Sequence, residues 1–366
     1  MKTNHRITEL RRRLDESKIE VIIVTSLLNI RYLTGFTGSA AFLLLGSSKQ
    51  SKDMAGILLT DSRYAEQARL QLADSEAGVE AVIGSQSTNL ERAKLYVNDS
   101  ANIVIEGGST SITEFNRWKS LLERSIAPSA IRVEELRQIK DEDELSAIRR
   151  ACQIADEALN YVLPKLGSKP TEIEFAAELE FRMRMLGADG PSFDTIVASG
   201  PNSAMPHARP TERKIVEGDS VVIDFGAVWN GYHSDCTRTY HIGDTPTSKF
   251  KQIYDSVLTS QLSGSALVMA GSAASHVDNA CRNSLNSVGL DEFFTHSTGH
   301  GVGLEVHELP WIHSESTSML AVGEALTVEP GVYLPGELGV RIEDTIAITP
   351  SGSECLTKLA KSPYIL

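Results

Sequence analysis

Short apolar runs alternate with amphipathic helical patterns in the first third of the chain. Runs rich in β-branched residues and leucine predict strands, and apolar residues spaced three or four apart predict helices. The predicted elements are, in chain order, helix 4–17, strand Glu20–Thr25, helix Ser26–Leu33, strands Ala40–Gly46 and Ala55–Leu59, helix Ser62–Leu72, strand Gly78–Ile83, helix Thr88–Tyr96 and strand Ile103–Glu106. This alternation is typical of a small α/β domain with a mixed sheet.

A second pattern begins after a boundary near Pro128–Glu134. Helical spacing of apolar residues predicts one long helix from Glu135 to Leu163, and Thr171-Glu-Ile-Glu has the form of a capping box at the next helix start. Further helical patterns at Lys249–Met269 and Ser275–Val288 again precede strand-like segments. We therefore predict two domains, 1–132 and 133–366. The second contains a helix–helix–strands unit twice, which suggests a pseudo-symmetric sheet with its functional residues at the centre.

Composition and charge narrow the classes of partner. The chain has 366 residues, a net charge of −13 and an isoelectric point near 5.2. This acidity argues against nucleic-acid partners and against docking on anionic membranes. Three consecutive arginines, Arg11–Arg13, interrupt an apolar helical pattern and predict the exposed side of an amphipathic helix.

The sequence also predicts the compartment. The N-terminal residues do not have the pattern of a secretory signal, and the apolar runs are too short to span a bilayer. The four cysteines are widely scattered and are typical of reduced, structural thiols. We therefore expect a cytoplasmic protein without a membrane partner.

The first candidate chemistry lies on a predicted hairpin. Two strand-like runs flank Asn230-Gly231, a pair that favours a two-residue type I′ turn. If these residues form the loop, Asp224 and Asp235 become diagonal neighbours on one face, about 7 to 8 Å apart at the backbone. Their carboxylates would repel unless a proton or a cation lay between them, and hard divalent metals prefer oxygen ligands. The alternative is two solvated acids on an exposed face.

Three of the nine histidines, His296, His300 and His307, fall within twelve residues of a glycine-rich segment. Its glycines allow the backbone to approach a site closely. Two acids follow in strand-like settings, Glu329 before Pro-Gly and Glu343 in a segment of period-2 alternation. Taken singly, a histidine is more often an ordinary hydrogen-bonded residue, and Glu343 would be an exposed strand acid. The clustering of these histidines favours a catalytic or metal-binding role.

Together these motifs resemble those of the pita-bread metallopeptidases, most closely the proline-specific branch that contains aminopeptidase P and prolidase. The motifs are Val222-Ile-Asp-Phe-Gly, Ser234-Asp-Cys-Thr-Arg, Gly299-His-Gly-Val-Gly-Leu-Glu-Val-His-Glu, Thr327-Val-Glu-Pro-Gly-Val-Tyr and Arg341-Ile-Glu-Asp. The resemblance is strong from about residue 136 onward and looser before it. It implies an α+β fold, with a C-terminal pita-bread (creatinase/aminopeptidase-like) domain and a smaller N-terminal α/β creatinase-like domain.

The resemblance also implies two divalent metal ions per subunit. The positions that match the family's ligands are Asp224, Asp235, His300, Glu329 and Glu343. Asp235 and Glu343 would bridge the two ions. The family suggests manganese or cobalt; carboxylate-rich ligation with one histidine suits manganese, and zinc stays open.

Catalytic roles are implied in the same way. A bridging hydroxide would attack the carbonyl that precedes proline, and Glu329 would carry a proton to the leaving nitrogen. His207 and His307 would donate hydrogen bonds to the developing oxyanion. His296, Tyr333 and Arg341 match positions near the substrate. For Arg341, a structural pairing with Glu343 or Asp344 remains open.

The leading hypothesis is an Xaa-Pro aminopeptidase, which removes the first residue from peptides with proline second. The main alternative is an Xaa-Pro dipeptidase, or prolidase, which shares every ligand but would bind the dipeptide's carboxylate beyond proline. Remote alternatives are a metal-free creatinase-like hydrolase and a binding protein, because such relatives have lost several ligands. Methionine aminopeptidases are disfavoured, since they usually lack an N-terminal domain of this size. The resemblance further implies a homodimer in which the segment 29–39 reaches the neighbour's pocket.

Overall fold

The computed structural model describes three stretches of the chain: residues 2–49, 55–97 and 102–364. The chain divides into two compact units, Met1–Arg137 and Gln138–Leu366. The domain limits proposed from the sequence, 1–132 and 133–366, stay a prediction. Within the described stretches, no helix combines the length and the apolar character needed to cross a lipid bilayer.

The first unit contains one six-stranded mixed sheet. Its strands are β1 Val21–Val24, β2 Ala41–Gly46, β3 Gly56–Thr60, β4 Val79–Ile83, β5 Ile103–Glu106 and β6 Ala127–Ser129. They lie in the order β4-β3-β2-β1-β5-β6. Strand β2 runs antiparallel to β1 and β3, and the other neighbouring pairs are parallel. The predicted α/β unit with a mixed sheet is confirmed.

The described part of the first unit also contains six α-helices. They are α1 Asn4–Glu16, α2 Leu27–Thr34, α3 Ala65–Ser75, α4 Gln86–Tyr96, α5 Ile112–Leu122 and α6 Glu134–Arg137. Helix α1 buries Ile7, Leu10 and Leu14. Of the three arginines predicted on its exposed side, Arg12 is exposed and the other two are half-buried.

Helix α5 and strand β6 were not predicted from the sequence. The signals for α5 are nevertheless present, because Ser111 caps the helix by accepting a hydrogen bond from Glu114 N. Phe115, Trp118 and Leu122 then recur at helical spacing and pack in the core of the sheet. Strand β6 is only three residues long and contains a proline, so its sequence has little strand character.

The second unit contains four longer helices and four small sheets. Its helices are α7 Glu142–Val162, α8 Glu172–Met185, α9 Ser248–Ser265 and α10 Ala274–Asn286. Its strands are β7 Gly190–Pro191, β8 Ile196–Ser199, β9 Ser220–Phe225, β10 Ala227–Trp229, β11 Tyr232–His233, β12 Cys236–His241, β13 Gly299–Gly301, β14 Glu308–Ile312, β15 Ala325–Val328, β16 Gly331–Leu334, β17 Leu338–Arg341, β18 Asp344–Thr349 and β19 Gly352–Cys355. The sheet orders are β11-β10-β7, β12-β9-β8, β14-β13-β15-β18-β19 and β16-β17.

The single helix predicted from Glu135 to Leu163 is wrong. The chain leaves the helical conformation after α6, and α7 begins anew at Glu142. Asp141 and Glu144 form a complete capping box there, in which each side chain accepts a hydrogen bond from the other residue's backbone N–H. This cap satisfies amide groups that a continuous helix would have bonded internally. The helical spacing of apolar residues continues through the break and conceals it.

The second unit has two hydrophobic cores that follow the predicted repetition of elements. One core joins α7 and α8 with strands β8, β9, β10 and β12, through residues such as Leu159, Leu179 and Ile223. The other joins α9 and α10 with strands β14 to β18, through residues such as Val257 and Leu326. The helix–helix–strands order therefore occurs twice, once around each core.

Candidate metal centre

The hairpin predicted around Asn230-Gly231 is confirmed. Both residues have positive φ angles, 47° and 71°, as a type I′ turn requires. The register next to the turn, between β10 and β11, is the same as the register further along the hairpin, between β9 and β12. Thr237 therefore lies opposite Asp224. Asp235 precedes Thr237 by two residues and is therefore a diagonal neighbour of Asp224, as predicted.

Gly226 lies between β9 and β10, where this strand of the hairpin passes from one sheet to another. A Cβ atom at Gly226 would lie 1.9 Å from the carbonyl oxygen of Ser234, so a larger residue has no room. Ser234 N donates to Ala227 O at 2.9 Å, and Ala227 N donates to Ser234 Oγ at 2.9 Å. The residue that precedes Asp235 is thus fixed by the hairpin itself.

His300 reaches the same centre from β13. Its neighbours Gly299 and Gly301 lie against backbone of adjacent strands, since a Cβ on either would come within 2.0 Å of a carbonyl oxygen. The His300 Nδ1 atom lies 3.1 Å from the carbonyl oxygen of Gly301. That contact directs Nε2 toward the acids, 3.6 Å from an Asp235 oxygen and 3.4 Å from a Glu329 oxygen.

All five predicted ligands come together. Three groups have ligand atoms within 4.8 Å of one another: Asp224, Asp235 and Glu343; His300, Glu329 and Glu343; and Asp235, His300 and His307. Glu343 belongs to the first two groups, and Asp235 to the first and third. Asp224 and Asp235 come from the first half of the unit, and the other ligands come from the second half.

The donor set fits a pair of divalent cations. Asp224 Oδ1 and Glu343 Oε1 are buried carboxylate oxygens without a hydrogen-bond partner among the described residues. Burial raises the pKa of Asp235 and of Glu343 well above the usual range, and the neighbouring carboxylates raise each pKa further. Buried carboxylates of this kind are stabilised by a cation between them, and oxygen-rich sets with one imidazole suit divalent metals.

The pKa of Glu329 shifts in the opposite direction from the pKa of Asp235 and of Glu343. Burial alone would raise its pKa, but the hydrogen bond and charge of His300 outweigh burial and lower the pKa of Glu329 to about 2. The same contact outweighs the burial of His300 and raises the pKa of that imidazole. One acid of the centre therefore stays ionised more readily than its neighbours.

Comparison with known proteins agrees with this centre. Residues 146–350 match the model of metallopeptidase family M24, and residues 6–139 match the Creatinase/Prolidase N-terminal domain. The chain belongs to metallopeptidase family M24. The expected fold, a creatinase-type N-terminal domain and a pita-bread domain, is confirmed, and so is the resemblance to the family's Xaa-Pro branch. Enzymes of this family are hydrolases that depend on two metal ions.

Similarity to known proteins extends over nearly the whole chain. An Xaa-Pro dipeptidase of Pyrococcus horikoshii is 33% identical, with 97% of each chain covered. The solved structure of an Xaa-Pro dipeptidase from Bacillus anthracis is 39% identical, covers 99% of both chains and has a TM-score of 0.91. An X-Pro aminopeptidase structure from Thermotoga maritima is 35% identical, covers 96% of this chain and 99% of its own, and has a TM-score of 0.85.

Arg341 is buried beside the predicted ligands and bonds to one of them, Asp224. It donates from Nη2 to Asp224 Oδ2 at 2.6 Å and from Nη1 to the Tyr333 hydroxyl at 2.7 Å. The same hydroxyl lies 2.9 Å from His296 Nε2. The pairing of Arg341 with Glu343 or Asp344 that the sequence left open is not the one formed. Asp344 pairs instead with buried Arg238, at 2.8 Å.

A cavity of about 620 Å³ opens onto the M24 centre. It is lined by all five ligands together with His207, His296, His307 and Arg341. Tyr333 is buried behind Arg341 and is not among the described residues that line the cavity. The rings of His300 and His307 lie edge to face, with their centroids 4.4 Å apart. Burial and the neighbouring His300 lower the pKa of His307.

The sequence did not reveal Glu172, which holds the segment that carries His207. Glu172 is fully buried and accepts hydrogen bonds from Ser199 N and Oγ, from Asn202 Nδ2, and from Thr211 N and Oγ1, at 2.6 to 3.1 Å. Both ends of the segment around His207 are thereby joined to the first turn of α8. The capping-box pattern marks the helix start but gives no sign of these distant partners.

A buried ion pair holds the segment that carries His307. Lys140 Nζ lies 2.8 Å from Glu308 Oε1, and both side chains are almost completely buried. Glu308 directly follows His307 at the start of β14. The sequence offered one weak signal for Glu308, its place in the His307 motif, and none for Lys140.

Proposed function

We propose that this M24 metallopeptidase is an Xaa-Pro dipeptidase, which hydrolyses the bond between an N-terminal residue and a C-terminal proline. The observation that carries the hydrolase chemistry is the convergence of five ligand side chains from two halves of the second unit. The dipeptidase is favoured over the aminopeptidase preferred from the sequence, because relatives described as Xaa-Pro dipeptidases match the full chain at 33 to 39% identity.

The residues of the centre would have different roles. Asp224, Asp235, His300, Glu329 and Glu343 would hold two divalent cations, with Asp235 and Glu343 shared between them. When bound, the cations would supply Lewis acidity toward the scissile carbonyl and would acidify a water molecule. We propose Mn²⁺ as the native metal, because four carboxylates and one imidazole form a hard ligand set; reconstitution with Co²⁺ and Zn²⁺ tests this choice.

Side chains of the protein would transfer the proton and stabilise the negative charge that develops on the carbonyl oxygen. Glu329 accepts a proton from the attacking water and delivers it to the proline nitrogen as the C–N bond breaks. His207 and His307 line the cavity and would donate hydrogen bonds to the carbonyl oxygen as it gains charge. Arg341 holds Asp224 in place and, through Tyr333, orients His296.

A dipeptidase also needs a group that binds the substrate's free carboxylate. Two arginines are among the described residues that line the cavity. Arg341 is buried, and its guanidinium already donates to Asp224, Thr237, Tyr333 and the carbonyl of Pro206. Arg209 is 86% exposed and has one loose contact, 3.5 Å from Asp194. We assign the carboxylate of the dipeptide to Arg209.

The test is hydrolysis of Ala-Pro beside Ala-Pro-Ala, with chelator-stripped protein and added Mn²⁺. The dipeptidase predicts metal-dependent cleavage of Ala-Pro and little cleavage of the tripeptide. Arg209→Ala should raise KM for Ala-Pro about tenfold and leave the tripeptide unchanged, because only the dipeptide presents a carboxylate next to the proline ring. Lys169→Ala, which removes a surface cation outside the cavity, is the matched control.

An Xaa-Pro aminopeptidase is the second candidate, favoured by the similarity to the Thermotoga maritima X-Pro aminopeptidase. Preferential release of alanine from Ala-Pro-Ala would establish it. We further propose a cytoplasmic homodimer. The four cysteines are unpaired, which suits a reducing compartment, and the dimer is tested by light scattering of the metal-loaded protein.

A further inference from the structure

The exposed indole of Trp311 in the catalytic cavity has no role in the mechanism above. Trp311 is 43% exposed, although its neighbours Pro310 and Ile312 in β14 are buried. The other two tryptophans are buried or half-buried. Trp311 lines the cavity that contains the five ligands. An exposed indole inside a cleft is available for an apolar part of a ligand.

Trp311 lies one side chain away from the reacting centre. It pairs with His300 across strands β13 and β14. The two rings are at an angle of 61°, with centroids 6.4 Å apart. His300 Nε2 in turn lies 3.4 Å from Glu329 and 3.6 Å from Asp235. A group bonded directly to the scissile carbonyl is therefore near enough to meet the indole face.

The chemistry of the cavity separates Trp311 from the other lining residues. Most of the described side chains around the centre are charged or imidazole groups, and the large apolar ones are Trp311, Phe193 and Ile196. Of these three, Trp311 is exposed, Phe193 is half-buried and Ile196 is buried. Proline presents no N–H, so its recognition depends on contact with the ring. Its ring begins at the leaving nitrogen, which is bonded to the reacting carbonyl. The C–H groups beside that nitrogen are electron-poor and favour the negative face of an aromatic ring.

We infer that the indole of Trp311 is the platform on which the substrate's proline ring packs, and that it sets the preference for proline. The residue before proline varies from substrate to substrate, whereas the ring is constant. A rigid platform beside the centre suits the constant part. This inference rests on the proposed function, because it assumes an Xaa-Pro substrate in this cavity.

The test is a double-substitution cycle between enzyme and substrate. Wild type, Trp311→Ala and Trp311→Phe are compared on Ala-Pro and on alanyl-N-methylalanine, which keeps the tertiary amide but lacks the ring. Opening the ring should lower kcat/KM of wild type about tenfold, and Trp311→Ala should lower kcat/KM for Ala-Pro by a similar factor, mainly through KM. Trp311→Ala should show no further loss on the open substrate, because ring and platform act as a pair.

Two controls accompany this cycle. Trp311→Phe keeps an aromatic face and should retain most of the activity. Phe181→Ala removes an aromatic side chain that is 59% exposed on α8, outside the residues that line the cavity, and should behave as wild type on both substrates.

A binding measurement without turnover supplements the kinetics. Ala-Pro added to chelator-stripped wild type should change the tryptophan fluorescence, and Trp311→Phe should lose that change. Equal losses for Trp311→Ala on both substrates, or a loss that follows the first residue rather than the ring, would overturn the inference. Unchanged kinetics would overturn it as well. If wild type cleaves no Xaa-Pro substrate, the proposed function fails first and the inference fails with it.

Discussion

At the scale of single residues, the centre places acids of one chemical type in different electrostatic states. Glu329 lies against His300 and has a pKa of about 2, whereas burial and neighbouring acids raise the pKa of Asp235 and Glu343. Asp235 and Glu343, the acids proposed to bridge two cations, are thus the ones that would gain most from a cation, whereas the charge of Glu329 is already stabilised by His300. Thr237 Oγ1 donates to Glu343 at 2.7 Å and leaves the other Glu343 oxygen for a metal.

Asp235→Asn should lose both bound metal and turnover. An amide removes the charge that Asp235 would share between two ions, so kcat/KM should fall by at least about a hundredfold. Calorimetric Mn²⁺ titration and Ala-Pro hydrolysis measure the two effects. Asp255→Asn, an exposed acid on α9, should match wild type in both. Normal turnover in Asp235→Asn would show that the bridging assignment is wrong.

His307→Ala should lower the rate of hydrolysis and leave metal binding unchanged. His307 is exposed in the cavity beside His300, and its proposed role is a hydrogen bond that strengthens in the transition state. Removal of such a donor lowers kcat by about 10² to 10³. Metal stoichiometry and the midpoint of denaturation should stay at wild-type values. The matched variant is His276→Ala, an exposed histidine on α10; loss of metal in His307→Ala would instead make His307 a ligand.

Single residues also show what the sequence can specify. The five side chains that come together at the centre could be selected from the sequence, because each stands in a local motif whose type and order are distinctive. The pairing of Arg341 with Asp224 was not, since the two are 117 positions apart and Arg341 has acids much closer along the chain. The same holds for Glu172 and Trp311, whose importance comes from burial and exposure that only the tertiary fold decides.

At the scale of elements, two segments carry His207 and His307, and a buried carboxylate holds each segment in place. Glu172 fixes the segment around His207, and the Lys140–Glu308 pair fixes the segment that ends in His307. A carboxylate that accepts several backbone and hydroxyl hydrogen bonds is costly to replace, because its donors remain buried. Neither carboxylate is among the described residues that line the cavity, so we propose that both act as positioning residues for the histidines.

Glu172→Gln should lower kcat about tenfold while metal binding stays intact, because an amide cannot accept all of the hydrogen bonds and His207 shifts. KM for Ala-Pro should change less than kcat, since the ligands and Trp311 are untouched. Glu174→Gln alters the exposed acid of the same helical turn, where glutamine still completes the capping box, and should behave as wild type. Glu172→Asp should recover part of the rate. Equal loss of metal and rate in Glu172→Gln would point to general destabilisation instead.

The elements themselves were largely predictable where local signals are strong. The Asn-Gly turn fixed the hairpin register, and alternation placed Arg341 and Glu343 on the side of the centre. The alternating segment that contains Glu343 suggests one continuous strand, but the chain is divided there into β17 and β18, which belong to different sheets. The helix predicted over Glu135–Leu163 is divided as well. In both places the periodicity continues across a break that tertiary packing introduces.

At the scale of the whole molecule, the halves of the second unit are joined by a buried charge network behind the centre. Arg238 from β12 donates to Asp344 and to the carbonyl oxygens of Glu343 and Leu359. Lys361 also pairs with Asp344. Burial opposes ionisation of Asp344, but these cations outweigh it and lower its pKa. The network thus links the C-terminal segment to the strand that follows Glu343.

Asp156 adds a pH-dependent contribution to this region. Its Oδ2 accepts from Lys358 N at 2.5 Å, its Oδ1 is buried without a partner among the described residues, and burial raises its pKa to about 6. A raised carboxyl pKa means that the folded state holds a proton that the unfolded state has released. The contribution to stability is therefore full below about pH 4 and is lost as the pH rises to about 6.

Asp156→Asn should consequently become more stable relative to wild type as the pH rises from 4 to 7. The gain in the free energy of unfolding is at most about 3 kcal/mol. Urea denaturation of both proteins at pH 4, 5, 6 and 7 measures it, with Asp255→Asn as a surface control. A difference that does not vary over this range would contradict the assignment of the titration to Asp156.

We propose that two metal ions, held by ligands from both halves of the second unit, make this chain an Xaa-Pro peptidase. The most direct test is a Mn²⁺ titration of chelator-stripped protein, with bound metal and Ala-Pro hydrolysis measured on the same samples. We predict no activity in the stripped protein and a rise that saturates at two ions per chain. Full activity without metal, or saturation at a single ion, would contradict the claim.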